Sequence, residues 1–295
     1  MRKVSGGYTI LEVLIVLGVS TIILGAAILT IQGTSARTEF AQSMRDVNSS
    51  AQDWINDVTD GFTGGSPASS TCKIISGRPQ IVPSYPGSTP DCVFVGKAIQ
   101  ITDDSSCANC VQNQSSKIYI YSIFGQRVDS QGTLIDNLSE AASTPAVGNV
   151  AAGVQTGKDL TETYDVLNGA SVKKVTINST ASTGALIGFF NNFNGLAATS
   201  GNSANGSQTL NAYYYPGALN NAAANTTAGD VIAQCLEMNP VCVGNGLNPP
   251  ALTTAQICFA SNLDNELAVL TITSNNGLGA QTKLDFVDQS SSLCQ

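Results

Sequence analysis

The chain has 295 residues, with 13 basic and 21 acidic side chains, no histidine and a formal net charge of −8. This balance repels nucleic acid and anionic lipid at long range, and the missing histidine removes the commonest general base and metal ligand. Charged residues make up only 12% of the sequence, so neutral polar side chains must cover one elongated domain, or two small ones, as suits an exported protein.

The first element is a short basic leader holding Arg2 and Lys3 and closed by Gly6 and Gly7. From Ile10 to Ile31 the chain carries one charge, Glu12. As a helix this run is about 33 Å long, enough to cross a hydrocarbon core. A carboxylate there costs roughly 2.5–3.5 kcal/mol even on lenient insertion scales, so Glu12 needs a partner. A secretory signal would also show a basic start and an apolar core, but Glu12 falls inside that core and no Ala-x-Ala site follows cleanly. An uncleaved anchor would leave Glu12 unpaired. Gly18 and Gly25 lie seven residues apart on one face, where they either admit a neighbouring helix or are simply tolerated.

The coincidence of a basic leader, Gly7 before Tyr8, an apolar run and Glu12 resembles the processing site of type IV pilins and type II secretion pseudopilins. The resemblance covers about 30 residues, a small part of a chain this long. It implies cleavage between Gly7 and Tyr8 by a prepilin peptidase, N-methylation of Tyr8, and pairing of Glu12 with the terminal amine of Tyr8 in an adjacent subunit. Tyr8 stands where phenylalanine is usual in that family, a conservative departure. Pairing the two charges would remove both burial penalties and set the stagger between helices. Losing Arg2 and Lys3 leaves 11 basic against 21 acidic side chains, a sum of −10.

Beyond Gln32, Phe40, Met44, Val47, Ala51, Trp54 and Val58 recur at helical spacing. The stripe predicts one helix from about Thr9 to Asp57, near 75 Å long, with its second half laid on a globular domain. Its two and a half heptads are too few to prefer a coiled coil. Gly61 to Pro67 reads as the stop and the start of a loop. Pro79, Pro83, Pro86 and Pro90 predict a looped excursion between Cys72 and Cys92 in place of paired strands.

Strands are predicted over 93–101 and 117–124, with Asp103, Asp104, Cys107 and Cys110 in the connection. Short apolar pieces at Val172–Ile177, Leu186–Phe190 and Leu210–Tyr215, separated by linkers such as Ala197–Ser207, predict a β-rich insertion over 129–230. Tyr213, Tyr214 and Tyr215 read as core or as an exposed aromatic patch. A hairpin over 257–272 and a strand over 283–287 complete the pattern.

All eight cysteines, Cys72, Cys92, Cys107, Cys110, Cys235, Cys242, Cys258 and Cys294, follow the apolar run. With the leader held inside by Arg2 and Lys3, they fall in an oxidising compartment and read as disulfides among 105 possible pairings. Spacing suggests Cys72–Cys92, Cys235–Cys242 and Cys258–Cys294. Cys107 and Cys110 form a CxxC without a thioredoxin-like context, and a zinc site lacks two further ligands.

The expected fold is therefore α+β: a long N-terminal helix over 8–60, transmembrane over about 10–31, packed on an antiparallel β-sheet domain with the insertion, all within an extracytoplasmic disulfide-containing unit over 61–295 that follows the 1–7 leader. No Gly-x-Ser-x-Gly elbow or phosphate loop is present, and nothing points to carboxylate or Ser–Lys catalysis, so no enzyme activity and no cofactor are expected. Calcium at Asp103–Asp104 or Asp264–Asn265–Glu266 lacks a full ligand set. Two function classes follow from the resemblance: a structural filament subunit, or a filament-displayed binding module acting through the insertion. The implied partners are the prepilin peptidase, other pilin or pseudopilin subunits, the assembly platform and membrane lipid. The implied location is a single-pass cytoplasmic membrane anchor with the body outside. A body larger than a typical major pilin favours a minor subunit, and Glu12 argues against the large tip pseudopilin, which usually lacks that carboxylate.

Overall fold

The computed structural model describes residues 9–61, 70–75, 78–83, 91–102, 116–129, 131–133, 135, 141, 144–145, 147–148, 161–182, 184–191, 210–214, 251–262, 266–275 and 279–294, with 27–34, 70, 78, 79, 81, 83, 102, 144, 145, 147, 148, 161 and 191 as backbone only. Helix α1 runs from Ile10 to Asp60. Thr9 caps it in an extended conformation, its Oγ1 accepting the Glu12 amide. Gly61 ends it in the left-handed region at φ 71°, donating to the carbonyls of Asp57 and Val58. These devices satisfy backbone groups that each helix end leaves unpaired.

The chain then forms β1 (Ser70–Ile75), β2 (Arg78–Pro83), β3 (Cys92–Thr102), β4 (Lys117–Gln126), β5 (Thr144–Pro145), β6 (Val147–Gly148) and β7 (Thr161–Asp165). It continues with β8 (Ala170–Ile177), β9 (Thr180–Ser182), β10 (Gly184–Asn191), β11 (Leu210–Tyr214), β12 (Thr254–Ser261), β13 (Leu267–Asn275) and β14 (Gly279–Val287). One sheet has the order β11-β10-β3-β4-β5, with β7 also on β4; a second has the order β14-β13-β12-β8-β9; a small third joins β1, β2 and β6. All pairings are antiparallel except β2 with β6.

Both large sheets turn one face to a single core that also holds the helix stripe. Phe40, Met44, Val47, Ala51, Trp54 and Val58 are all buried there, together with Ile99, Ile120, Ile187, Phe189, Ile257, Phe259 and Leu270. The opposite face of the first sheet carries a second cluster around Val95, Tyr119, Tyr121, Ile123, Leu186 and Phe190. Sheet burial on both sides explains why Ile118 through Gly125 form an unbroken buried run in β4, where a one-sided strand would alternate. The opposite face of the second sheet is covered by the C-terminal tail, which the Cys258–Cys294 disulfide holds against Leu267 and Val269. Cys72–Cys92 joins β1 to β3 beside Phe124.

Three expectations are corrected. The fold is predominantly antiparallel β, built of two large sheets and a small one, and the α+β plan of one sheet carrying an insertion over 129–230 does not hold. Strand β8 pairs with β12, and β10 lies between β11 and β3, so this region supplies interior strands. Its low-complexity linkers hide the fact that β8 and β10 pair with strands distant in sequence, while β11 extends the sheet from β10. Deleting residues 129–230 should therefore abolish folding and leave only insoluble protein, as fractionation and circular dichroism would read; a soluble, cooperatively melting deletion would contradict the pairing.

The second correction concerns the membrane span. Among the described residues, no helix is long and apolar enough to cross a membrane. The third concerns the proline-rich excursion: β1 and β2 are paired, with Pro79 opposite Ile74 and Pro83 opposite Ser70. The two prolines share one parity of the ladder, and the parallel partner β6 pairs only at Gln80 and Ile81, so neither proline lies in that short ladder. Pro86, Pro90 and the loop beyond Gly61 lie outside the described residues.

Candidate assembly surface

Helix α1 has two halves in different surroundings. From Phe40 onward its apolar side chains are core, whereas Ile10, Leu11, Val13, Leu14, Ile15, Val16, Leu17, Val19, Ile22, Ile23 and Leu24 are exposed, by between 48% and 82%. A contiguous apolar surface on this scale marks a contact with lipid or with other protein. Glu12 stands exposed among these residues, and no ion pair among the described residues includes it. It is the third residue after the Thr9 cap, in the first turn, where a carboxylate is favoured by the helix dipole.

Two details suit this half to apolar surroundings. The Thr21 hydroxyl donates back to the Leu17 carbonyl at 2.8 Å, which leaves that donor satisfied inside the helix. A Cβ placed on Gly18 or Gly25 would meet nothing within 4 Å, so no contact within the chain requires either glycine. Gly7 and Tyr8 lie outside the described residues.

The second half is fastened to the body by polar contacts as well as by packing. Ser43 donates to the Leu167 carbonyl at 3.0 Å, and Asn168, at φ 57°, donates to the Glu39 carbonyl at 2.9 Å. Gln52 Oε1 accepts from the backbone and the hydroxyl of Thr282, each at 3.2 Å. Arg37 pairs with Glu266 at 3.1 Å. That pairing occupies the one described member of the Asp264–Asn265–Glu266 turn considered for calcium.

The most unusual contact is one that the strand pattern conceals. Lys97 of β3 is fully buried, and its Nζ donates to Asp57 Oδ2 at 2.6 Å; Glu162 Oε1 of β7 is 3.9 Å away. A bulge between Phe94 and Gly96 shifts the register. Beyond it the strand alternates regularly, with Lys97 on the same face as Ile99 and Ile101, towards the helix. Gly96 itself packs so closely on the Phe189 carbonyl that any side chain there would overlap it. The signal for this buried ion pair is a lone lysine in alternation with Ile99 and Ile101, and only the tertiary structure supplies its partner, Asp57.

The tyrosine cluster divides between faces as a strand requires. Tyr213 stacks on Phe190, with ring centroids 6.1 Å apart, and Tyr214 packs on the main core. Burial pushes the Tyr213 hydroxyl above its usual range, as it does for Tyr164, where desolvation outweighs a hydrogen bond with Ser50. Both described rings are half-buried, which fits the core reading better than an exposed patch; Tyr215 lies outside the described residues. Cys107, Cys110, Cys235, Cys242, Asp103, Asp104, Asp264 and Asn265 do so too. Among the described residues no group of three or more acidic or cysteine side chains is arranged to hold a metal. The chain matches no family model, no curated protein and no solved structure.

Proposed function

We propose that the protein is a type IV pilin-like minor pilin or pseudopilin, a structural subunit of a membrane-anchored filament that a prepilin peptidase processes at Gly7 and Tyr8. The observation that carries this reading is the division of one continuous helix into a buried half and an uncovered apolar half bearing Glu12. The equivalent halves of other subunits cover the apolar half in the assembled filament. Glu12 then neutralises the Tyr8 amine of a neighbour, which removes two unpaired charges from apolar surroundings. The β-sheets form the outer body, outside the cytoplasm where the Cys72–Cys92 and Cys258–Cys294 disulfides are stable.

Intact mass of the chain extracted from membranes tests the processing step: the expected product lacks Met1–Gly7 and carries one added methyl group, and a retained leader overturns the assignment. Assembly is tested by Glu12→Ala at matched expression and cleavage. An unpaired charge worth roughly 2.5 kcal/mol predicts a drop of more than about tenfold in filament incorporation. Unchanged incorporation would remove Glu12 from the assembly step.

A further inference from the structure

We propose that Lys97 and Asp57 become joined by an intramolecular amide bond, with Glu162 as the proton carrier. The reacting groups are already in contact. Lys97 Nζ lies 2.6 Å from Asp57 Oδ2, and the Lys97 side chain is fully buried. Its neighbours on the inward face of β3 and on the facing turn of the helix are Ile99, Trp54 and Val58, all buried. Ammonium and carboxylate do not condense in water, because both ions are well solvated and the product water is in vast excess. In this site the ammonium has lost its water, and amide formation would remove that buried charge together with the carboxylate charge that offsets it. Fixed contact also supplies the high effective concentration of an intramolecular reaction.

The second carboxylate completes the set. Glu162 Oε1 is 3.9 Å from the same nitrogen, within reach of a proton on Nζ after a small movement. Glu162 takes a proton from the ammonium, the freed amine attacks Asp57 Cγ, and the Nζ–Cγ bond forms as one Cγ–O bond breaks. The departing oxygen receives two protons in total from Nζ, one or both relayed by Glu162, and leaves as water; Glu162 returns to its starting state. The reaction needs no oxidant, reductant or metal. Asp57 is 28% exposed, so the released water has a path to solvent. The product would tie helix α1 covalently to β3, forty residues apart, near the helix end that packs in the core.

The test is peptide mapping with intact mass on the reduced full-length protein extracted from membranes. The expected chain is lighter by one water than its processed sequence, and digestion yields a branched peptide joining the Asp57 and Lys97 segments, with no cleavage at Lys97. Asp57→Ala should restore the full mass. Glu162→Gln should also give the full mass while keeping the Cys72–Cys92 and Cys258–Cys294 disulfides, which report an intact fold. A wild-type chain at full mass with separate peptides would leave an ion pair only and overturn the bond. A fully linked Glu162→Gln variant would overturn the role of Glu162.

Discussion

Asp57→Ala should lower stability to chemical denaturation by roughly 3–5 kcal/mol, the range for removing one partner of a buried pair. The Lys97 side chain would stay buried at the same place, with Glu162 at 3.9 Å and 44% exposed as its remaining counter-charge. Both variants lose the amide proposed above, but only Asp57→Ala leaves an ammonium buried, so Lys97→Met, which keeps the stem volume and removes the ion, should fall well short of the Asp57→Ala loss. Since a domain of ordinary stability has about 5–15 kcal/mol in total, Asp57→Ala alone should leave a barely folded body. Equal losses for the two variants would mean that the buried charge is not what Asp57 compensates.

Trp54→Ala is the second large loss, again roughly 3–5 kcal/mol, from lost burial and the cavity left behind. Trp54 is 7% exposed, and its ring meets that of Tyr164 edge to face at 5.6 Å, a geometry worth about 0.5–1.5 kcal/mol beyond area alone. Tyr164 belongs to β7, which is held to the sheet by β4 and reaches the helix through this contact. Trp54→Phe keeps most of the volume and should recover more than half of the loss in thermal or denaturant melts. Full recovery by Trp54→Leu would show that volume, and not the ring contact, is what matters.

Near the termini of its elements, the structure follows local chemistry that can be read residue by residue. Thr9, Glu12 and Gly61 mark the helix ends, and the recurrence of Phe40 through Val58 marks its buried face, because caps and periodicity act over a few residues. The Cys72–Cys92 and Cys258–Cys294 bridges were also suggested by spacing, since each closes a segment between neighbouring elements. The proline-rich β1–β2 ladder was not, because a proline forbids a strand only where its N–H would face a paired neighbour, and that depends on register.

What the amino-acid sequence determined by itself is the polarity of the chain: a basic start, an apolar run with one carboxylate, then an acidic, cysteine-bearing body without histidine. Those features depend on composition and on contacts along the chain. What only the tertiary structure decided is which strands belong together and which charges are buried. Residues 161–214 look like an excursion in sequence, yet β8 finds β12 and β10 finds β3. Lys97 looks like an ordinary strand lysine until the fold packs Asp57 of the helix against its face of β3. Both outcomes rest on pairings between distant segments, whose free energy comes from a shared core that no local window contains.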